Sequence, residues 1–135
     1  MWDRYRFIGY ILLIGLSTDI FIGEIILKHI FNRLRPFQEL NGIVLKIPEP
    51  ITSSFPSGHT SVSICFAIIF TYFFWIQTKY GVISIWILAI GVTLSRFYLQ
   101  VHYPTDILAG IGVGIICSVL AILLYIHTSK FSISK

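Results

Sequence analysis

Four long apolar stretches constrain the fold of this chain more than any other feature of its sequence. A helix needs about 20 residues to cross a bilayer whose hydrocarbon core is about 30 Å thick. Only 12% of the residues are charged, whereas soluble domains carry about 25%. The stretches therefore predict an all-α fold in which residues 1–135 form one domain. This domain is a transmembrane helical bundle of about four spans, at 7–30, 61–76, 82–99 and 107–126.

The basic residues lie mostly at the ends of these stretches. A net charge of +4 is compatible with nucleic-acid binding, but Lys and Arg at span ends are typical of membrane proteins. We therefore expect the lipid bilayer, and no nucleic acid, as a partner. Once the basic residues with candidate roles at a site are set aside, the remainder favours cytoplasmic termini. The long connection at 37–55 would then lie on the extracytoplasmic side of the cell membrane.

Antiparallel spans bring a set of polar residues to one membrane face. The end of the first span, the start of the second, the end of the third and the start of the fourth all meet there. Ionisable groups in a bilayer are costly and generally mark pathways, pairs or sites. The residues gathered at this face are Lys28, Arg35, Ser57, Gly58, His59, Arg96, His102 and Asp106.

The two cations near the end of the first span are expected to share one helix face. Pro36 is expected to end the first helix, and Arg35 follows Lys28 by two helical turns, about 10 Å along the axis. Cations that point the same way repel one another unless an anion lies between or beside them. A simple ion pair with Glu24, one turn earlier, is the alternative interpretation of Lys28.

The histidines indicate chemistry on a phosphate ester. Asp106 follows His102 by four residues, a spacing that can bring its carboxylate to the imidazole, with plain capping of the fourth helix as the alternative. One histidine held in this way can attack phosphorus, and the other can protonate the leaving oxygen. Arg and Lys side chains would hold the phosphate oxygens, with the Ser57 hydroxyl and Gly58 amide as neutral donors. The sequence offers no carboxylate cluster or Cys/His set typical of magnesium or zinc sites, so we expect no cofactor.

Three segments resemble the signature of the type 2 phosphatidic acid phosphatases, the PAP2 family. They are KHIFNRLRP at 28–36, PSGH at 56–59 and SRFYLQVHYPTD at 95–106. The resemblance implies an α-helical core shared with vanadium haloperoxidases, and metal-independent hydrolysis of a lipid phosphate or diphosphate. It implies that His102 is a nucleophile that forms a phosphohistidine, that Asp106 orients it, and that His59 protonates the leaving group. It also implies a phosphate-binding set formed by Lys28, Arg35, Ser57, Gly58 and Arg96.

The resemblance leaves the substrate open. Undecaprenyl diphosphate is the expected substrate, because its product is recycled at the face that carries the site; phosphatidylglycerophosphate and phosphatidic acid are alternatives. Membrane members of this family commonly have six spans, with the lysine motif at the end of the third, so two N-terminal spans are expected to be absent. A homodimer would cover the face left exposed. Two other interpretations are a catalytically inactive membrane assembly partner and a vanadate-binding haloperoxidase.

Small residues recur at a spacing of four in the last apolar stretch. Gly110, Gly114 and Ser118 would share one helix face, and small residues at this spacing let transmembrane helices approach closely. Cys65 and Cys117 fall in the middle of the second and fourth stretches, where buried thiols are expected. These residues predict close packing of the fourth helix on a neighbour.

Overall fold

The computed structural model describes residues 2–40, 42 and 44–133, and these residues form helices and connecting turns without any strand. The predicted all-α class is confirmed. The first helix runs on through a π-helical segment into a short final turn, and a second short helix precedes the long connection. In chain order the elements are α1 (Trp2–Ile20), the π segment (Phe21–Leu27), α2 (Lys28–Phe31), α3 (Pro36–Glu39), α4 (Gly58–Phe74), α5 (Lys79–Tyr98) and α6 (Pro104–Ile133).

In the part of the chain that the structure describes, three segments are long and apolar enough to cross a membrane, rather than the four expected from the sequence. They are Tyr5–Glu39, Lys79–Tyr98 and Pro104–Ser129. The remaining apolar helix, α4, has 17 residues and is about 25 Å long at 1.5 Å per residue. It falls short because it begins at Gly58, within the PSGH segment, and ends at Phe74.

Helix α4 lies at the centre of the bundle and packs against α1, α5 and α6. A cluster of buried side chains joins α1, α4 and α6, and it includes Cys65 and Cys117, which are buried free thiols as predicted. A smaller cluster of Ile64, Ala67 and Ala89 joins α4 to α5. Within the described part of the chain α1 and α5 do not contact each other. A groove over α4 therefore separates these two helices.

The small residues of α6 face the backbone of α4, which confirms the predicted close approach. A Cβ atom placed on Gly110 would lie 2.6 Å from the Ser57 carbonyl oxygen, and one on Gly114 would lie 2.5 Å from the Ser61 carbonyl oxygen. Ser118, on the same side of α6, is fully buried. Helices in lipid gain little from the hydrophobic effect and depend on such close packing.

Gly114→Ala is therefore expected to destabilise the bundle. The added methyl group would meet backbone atoms of α4 that cannot move independently of the helix, and overpacking of this kind costs about 1–3 kcal/mol. Gly112→Ala is the matched control, because a Cβ at Gly112 has no neighbour within 4 Å. Thermal unfolding in detergent micelles measures both variants. Equal midpoints for the two would contradict this account of the α4–α6 contact.

The first helix ends earlier than the sequence predicted. It stops at Phe31, because Asn32 adopts a left-handed conformation with φ of 38°, a common helix-ending geometry for Asn. Pro36 does not end this helix but begins α3, where the first helical position needs no N–H donor. The prediction that Lys28 and Arg35 lie on one helix face is therefore wrong. A left-handed residue and an extended segment separate them.

Candidate active site

Lys28 is held at the end of the first helix by two acceptors. Its Nζ donates to Glu24 Oε2 at 2.8 Å and to Thr52 Oγ1 at 3.1 Å, and the side chain is only 8% exposed. Glu24 belongs to the π segment, a geometry often found at functional sites. The ion pair that the sequence offered as an alternative is thus present. Lys28 also lines the main cavity, so the two interpretations are compatible.

Arg35 is buried and ties three parts of the chain together. Its Nε donates to the Thr52 carbonyl at 2.9 Å, and its Nη1 donates to the Val101 carbonyl at 3.0 Å. Nη2 donates to Thr52 Oγ1 at 3.4 Å, so this hydroxyl accepts from both Arg35 and Lys28. The two cations therefore meet at Thr52, on the loop before α4, rather than along a helix. Arg35 also fixes the residue that directly precedes His102.

The tautomer of His102 follows from its hydrogen bond. Its Nδ1 lies 2.7 Å from the Ser54 carbonyl oxygen, and the side chain is 4% exposed. A carbonyl oxygen only accepts, so the hydrogen must be on Nδ1. In the neutral ring the lone pair is then on Nε2. His102 also lines the main cavity.

Asp106 lies behind His102, but the direct hydrogen bond that its spacing suggested does not form. Its Oδ2 is 3.7 Å from His102 Nδ1, beyond hydrogen-bond distance. Oδ2 instead accepts from the Ser54 hydroxyl and from the Tyr103 N–H at 2.9 Å. Ser54 thus links the two residues, because its hydroxyl donates to Asp106 while its carbonyl accepts from His102. Asp106 lies in the first turn of α6, where the Tyr103 N–H and the Ser54 hydroxyl bind its Oδ2 instead.

Sequence reasoning missed two residues beside Asp106. One is Ser54, which is fully buried. The other is Arg33, whose Nη1 donates to Asp106 Oδ1 at 2.8 Å and whose guanidinium lies 3.9 Å from the centroid of the Tyr103 ring. The Tyr103 hydroxyl donates to Glu39, and this bond raises the pKa of Tyr103 above its usual value. The only sequence signal was the position of Arg33 inside the first motif, between Lys28 and Arg35.

The PSGH turn brings the start of α4 to the same place. The Ser57 N–H donates to the Asp106 carbonyl at 3.0 Å, which joins this turn to the start of α6. The Ser57 hydroxyl is buried and pairs with Thr60 Oγ1 at 3.0 Å, so it stabilises the turn and does not face the cavity. Gly58 and His59 line the cavity. A Cβ atom on Gly58 would lie 1.9 Å from Glu24 Oε1, so a larger residue here would require the Glu24 side chain to move.

Arg96 reaches the cavity from the last turn of α5. It is half-buried, and its Nε donates to Ser95 Oγ at 3.1 Å. The four span ends that the sequence predicted to meet at one membrane face therefore each contribute a side chain or a backbone group to the site. Ser57 and Asp106 are not among the described residues that line the cavity. The six predicted residues that do are Lys28, Arg35, Gly58, His59, Arg96 and His102.

The cavity has a cationic end and an apolar end within a volume of about 760 Å³. The cationic end contains both histidines and the three cations, with Glu24 beside Lys28. From there the cavity runs along the groove between α1 and α5. The apolar wall is formed by residues of α1, α4 and α5, namely Leu16, Ile20, Val62, Phe66, Ile85, Leu88 and Val92.

Comparison with known sequences identifies the group of proteins to which this chain is related. The sequence model of the PAP2 superfamily matches residues 6–130, almost the whole chain. The chain belongs to the PAP2 superfamily. The resemblance carried by the three motifs is thereby confirmed.

Relatives within the superfamily act on different membrane lipids, as their names state. This chain is 32% identical over 126 residues to an undecaprenyl-diphosphatase of Sulfolobus acidocaldarius, covering 90% of the chain and 57% of the relative. It is 30% identical over 122 residues to phosphatidylglycerophosphatase B of Bacillus subtilis, covering 85% of the chain and 54% of the relative. The chain spans about half the length of the curated relatives that it matches.

A solved structure confirms that the fold is that of the family. The crystal structure of Aquifex aeolicus LpxE matches with a TM-score of 0.72 and 27% sequence identity. The match covers 83% of this chain and 65% of LpxE. The transmembrane PAP2 type phosphatidylglycerolphosphate phosphatase of Bacillus subtilis matches with a TM-score of 0.65 and 27% identity, over 90% of this chain and 58% of that one. The helices described above thus have the arrangement of a PAP2 membrane protein.

Proposed function

We propose that this chain hydrolyses a phosphate or diphosphate ester of a membrane lipid through a phosphohistidine intermediate. The observation that carries the proposal is the hydrogen bond from His102 Nδ1 to the Ser54 carbonyl. In the neutral ring this bond puts the lone pair on Nε2, and His102 lines a cavity that also contains His59 and three cations. A nucleophile, a proton donor and fixed positive charge are the groups that phosphoryl transfer requires.

In the first step the Nε2 lone pair of His102 attacks phosphorus. The bond between phosphorus and the leaving oxygen breaks, and His59 gives its proton to that oxygen. The hydrogen on His102 Nδ1 stays in place and remains hydrogen-bonded to the Ser54 carbonyl. The phosphorylated ring therefore carries a positive charge. Asp106, 3.7 Å from Nδ1, stabilises this charge. The product lipid then leaves with the proton that His59 supplied.

In the second step a water molecule attacks the phosphohistidine. The neutral His59 accepts a proton from this water as the oxygen bonds to phosphorus, and the bond between phosphorus and Nε2 breaks. Inorganic phosphate leaves, and both histidines return to their starting protonation states. Water is the only co-reactant, so the balanced reaction is hydrolysis.

The cations replace the metal ion that many phosphoryl-transfer sites use. Lys28 and Arg96 face the cavity, and Arg35 adds a buried charge beside them. The Gly58 amide at the start of α4 adds a helix N-terminus, which favours anions. Glu24 is the only carboxylate among the described residues that line the cavity. We therefore propose a metal-independent reaction.

The apolar end of the cavity supports a lipid substrate over a soluble one. A phosphate bound near His102 would place the rest of its molecule along the groove between α1 and α5. The groove wall is aliphatic and aromatic, which suits a hydrocarbon chain. Undecaprenyl diphosphate is the proposed substrate, with phosphatidylglycerophosphate and phosphatidic acid as alternatives.

The proposal also includes the placement of the chain in the cell. We propose that it crosses the cell membrane several times and carries the site on the extracytoplasmic side. We also propose a homodimer that covers exposed apolar surface.

Phosphate release from a lipid panel tests this function. The purified chain in detergent micelles is expected to release phosphate from undecaprenyl diphosphate faster than from phosphatidylglycerophosphate or phosphatidic acid. EDTA is expected to leave the rate unchanged, because protein cations supply the positive charge. Release from none of these lipids by a folded protein would indicate an inactive membrane assembly partner instead. Loss of activity in EDTA that magnesium restores would refute metal independence.

The same assay on intact cells tests on which side of the membrane the site lies. A short-chain substrate that cannot cross the membrane is added to cells that express the chain. Phosphate is expected in the medium, because the site would face outward. Release that appears only after the cells are lysed would place the site on the cytoplasmic face.

A further inference from the structure

The surroundings of His102 contain an electrostatic conflict. Asp106 is fully buried, and its Oδ2 lies 3.7 Å from His102 Nδ1. A carboxylate at this distance favours the protonated imidazole. Attack on phosphorus needs the neutral ring, because a protonated Nε2 has no lone pair. Some other group must therefore offset the charge of Asp106.

Arg33 is placed to provide this offset. Its Nη1 donates to Asp106 Oδ1 at 2.8 Å and to Thr105 Oγ1 at 2.7 Å. Its guanidinium also lies 3.9 Å from the centroid of the Tyr103 ring. Arg33 thus binds the carboxylate oxygen that does not face His102. Its side chain is held by Tyr103, just before α6, and by Thr105 and Asp106 in the first turn of α6.

The main chain of Arg33 is fixed as well. Its N–H donates to Ser53 Oγ at 2.9 Å, and its carbonyl accepts from the Ser54 N–H at 2.9 Å. Ser54 is the residue whose carbonyl binds His102 and whose hydroxyl binds Asp106. Arg33 therefore holds both groups that set the position and charge state of His102.

The other charged groups near His102 line two cavities, and one of them is Lys46, which lines a smaller second cavity with His102. Arg33 and Asp106 are not among the described residues that line the cavity, so substrate would not contact them. Arg33 is 36% exposed and Asp106 is buried, so solvent weakens the field of the arginine only in part. The groups that face His102 from the cavity side are His59, Arg35, Arg96 and Lys28 with Glu24.

We propose that Arg33 is a positioning residue that neutralises Asp106 and thereby keeps His102 unprotonated for attack. The inference rests on the proposed function in taking His102 as the nucleophile. Without Arg33 the carboxylate acts on the imidazole alone, and the ring binds a proton at higher pH. The neutral form that attacks phosphorus then requires more alkaline conditions.

Arg33→Gln is expected to move the acid limb of the pH profile of kcat upward by about one pH unit, equivalent to about 1.4 kcal/mol. KM should change little, because Arg33 does not line the cavity. Arg33→Lys should keep the limb near that of the wild type, because it retains the charge. Arg6→Gln, which removes an exposed charge in the first helix, is the matched control and should leave the profile unchanged.

A second readout does not depend on turnover. Nuclear magnetic resonance of ¹⁵N-labelled histidine follows the four imidazole rings of the chain during a pH titration, and a His102→Gln sample assigns the signals of interest. The His102 midpoint is expected to rise by about one pH unit in Arg33→Gln. Arg33→Gln should have no effect in an Asp106→Asn background, because the two substitutions then act on the same interaction.

The outcomes separate this inference from the proposed function. A chain that releases no lipid phosphate but shows the upward shift by resonance would keep the inference and remove the function. An unchanged His102 midpoint in Arg33→Gln would overturn the inference, whatever the activity. A shift that persists in the Asp106→Asn background would overturn it too. Arg33→Met, which keeps an apolar stem over the Tyr103 ring, provides a second neutral variant if Arg33→Gln does not fold.

Discussion

His102→Ala is expected to lower phosphate release by about 10⁴-fold or more, the scale of loss seen when a nucleophile is removed from a catalytic set. The substitution removes the Nε2 lone pair, and no other described side chain in the cavity has its proton fixed on the opposite ring nitrogen. The rate of phosphate release from the preferred lipid of the panel, measured in a discontinuous assay, gives the change. The protein should remain folded, because Arg35 and Ser54 still hold the surrounding loop.

His29→Ala is the matched control for this experiment. His29 is exposed, its Nδ1 lies 2.7 Å from the Ile25 carbonyl, and it does not line the cavity. Its replacement should leave turnover at the wild-type level. A His102→Ala protein with normal melting and substantial activity would exclude the phosphohistidine route.

Arg35→Ala is expected to destabilise the protein by about 1–3 kcal/mol and to abolish turnover. Its guanidinium donates to the Thr52 carbonyl and to the buried Val101 carbonyl, and a buried acceptor left without a donor costs about 1–3 kcal/mol. Arg35→Lys should recover only part of the loss, because an ammonium cannot reproduce the planar fork of donors. Thermal and chemical unfolding in micelles measure the stability of each variant.

Arg6→Ala provides the comparison for Arg35→Ala, since Arg6 is exposed in the first helix. It removes the same charge and should leave the unfolding midpoint near that of the wild type. If Arg35→Ala unfolds like the wild type but is inactive, the side chain acts on the substrate alone. That result would contradict its role as a tie between the loop and Val101.

The sequence predicted the fold class and the convergence of the site because both depend on coarse features. Apolar stretches of membrane length define helices, and alternating helix direction places Lys28, His59, Arg96 and His102 at one end of the bundle. No side-chain detail is needed for either step. The glycine spacing in α6 was equally informative, because a helix face without side chains predicts that a neighbouring helix can approach closely.

The details that the sequence did not predict depend on single backbone conformations and on distant pairs. The left-handed conformation of Asn32 ends the first helix and sends Arg35 to Thr52 instead of along the face of Lys28. Arg33 and Asp106 are separated by 73 residues, so no local pattern links them. Periodicity identifies faces of helices, but it cannot place side chains in the turns between them.

The lack of contact between α1 and α5 has a consequence for how reaction rates should scale. Under the proposed function, the groove between them faces the hydrophobic phase in which the lipid substrate is dissolved. Encounter would then occur by diffusion in two dimensions within one leaflet. Velocity should follow the mole fraction of substrate in a vesicle or mixed micelle rather than its concentration in the assay volume. Diluting the substrate with inert lipid should slow the reaction, whereas diluting the whole suspension with buffer should leave turnover per protein molecule unchanged.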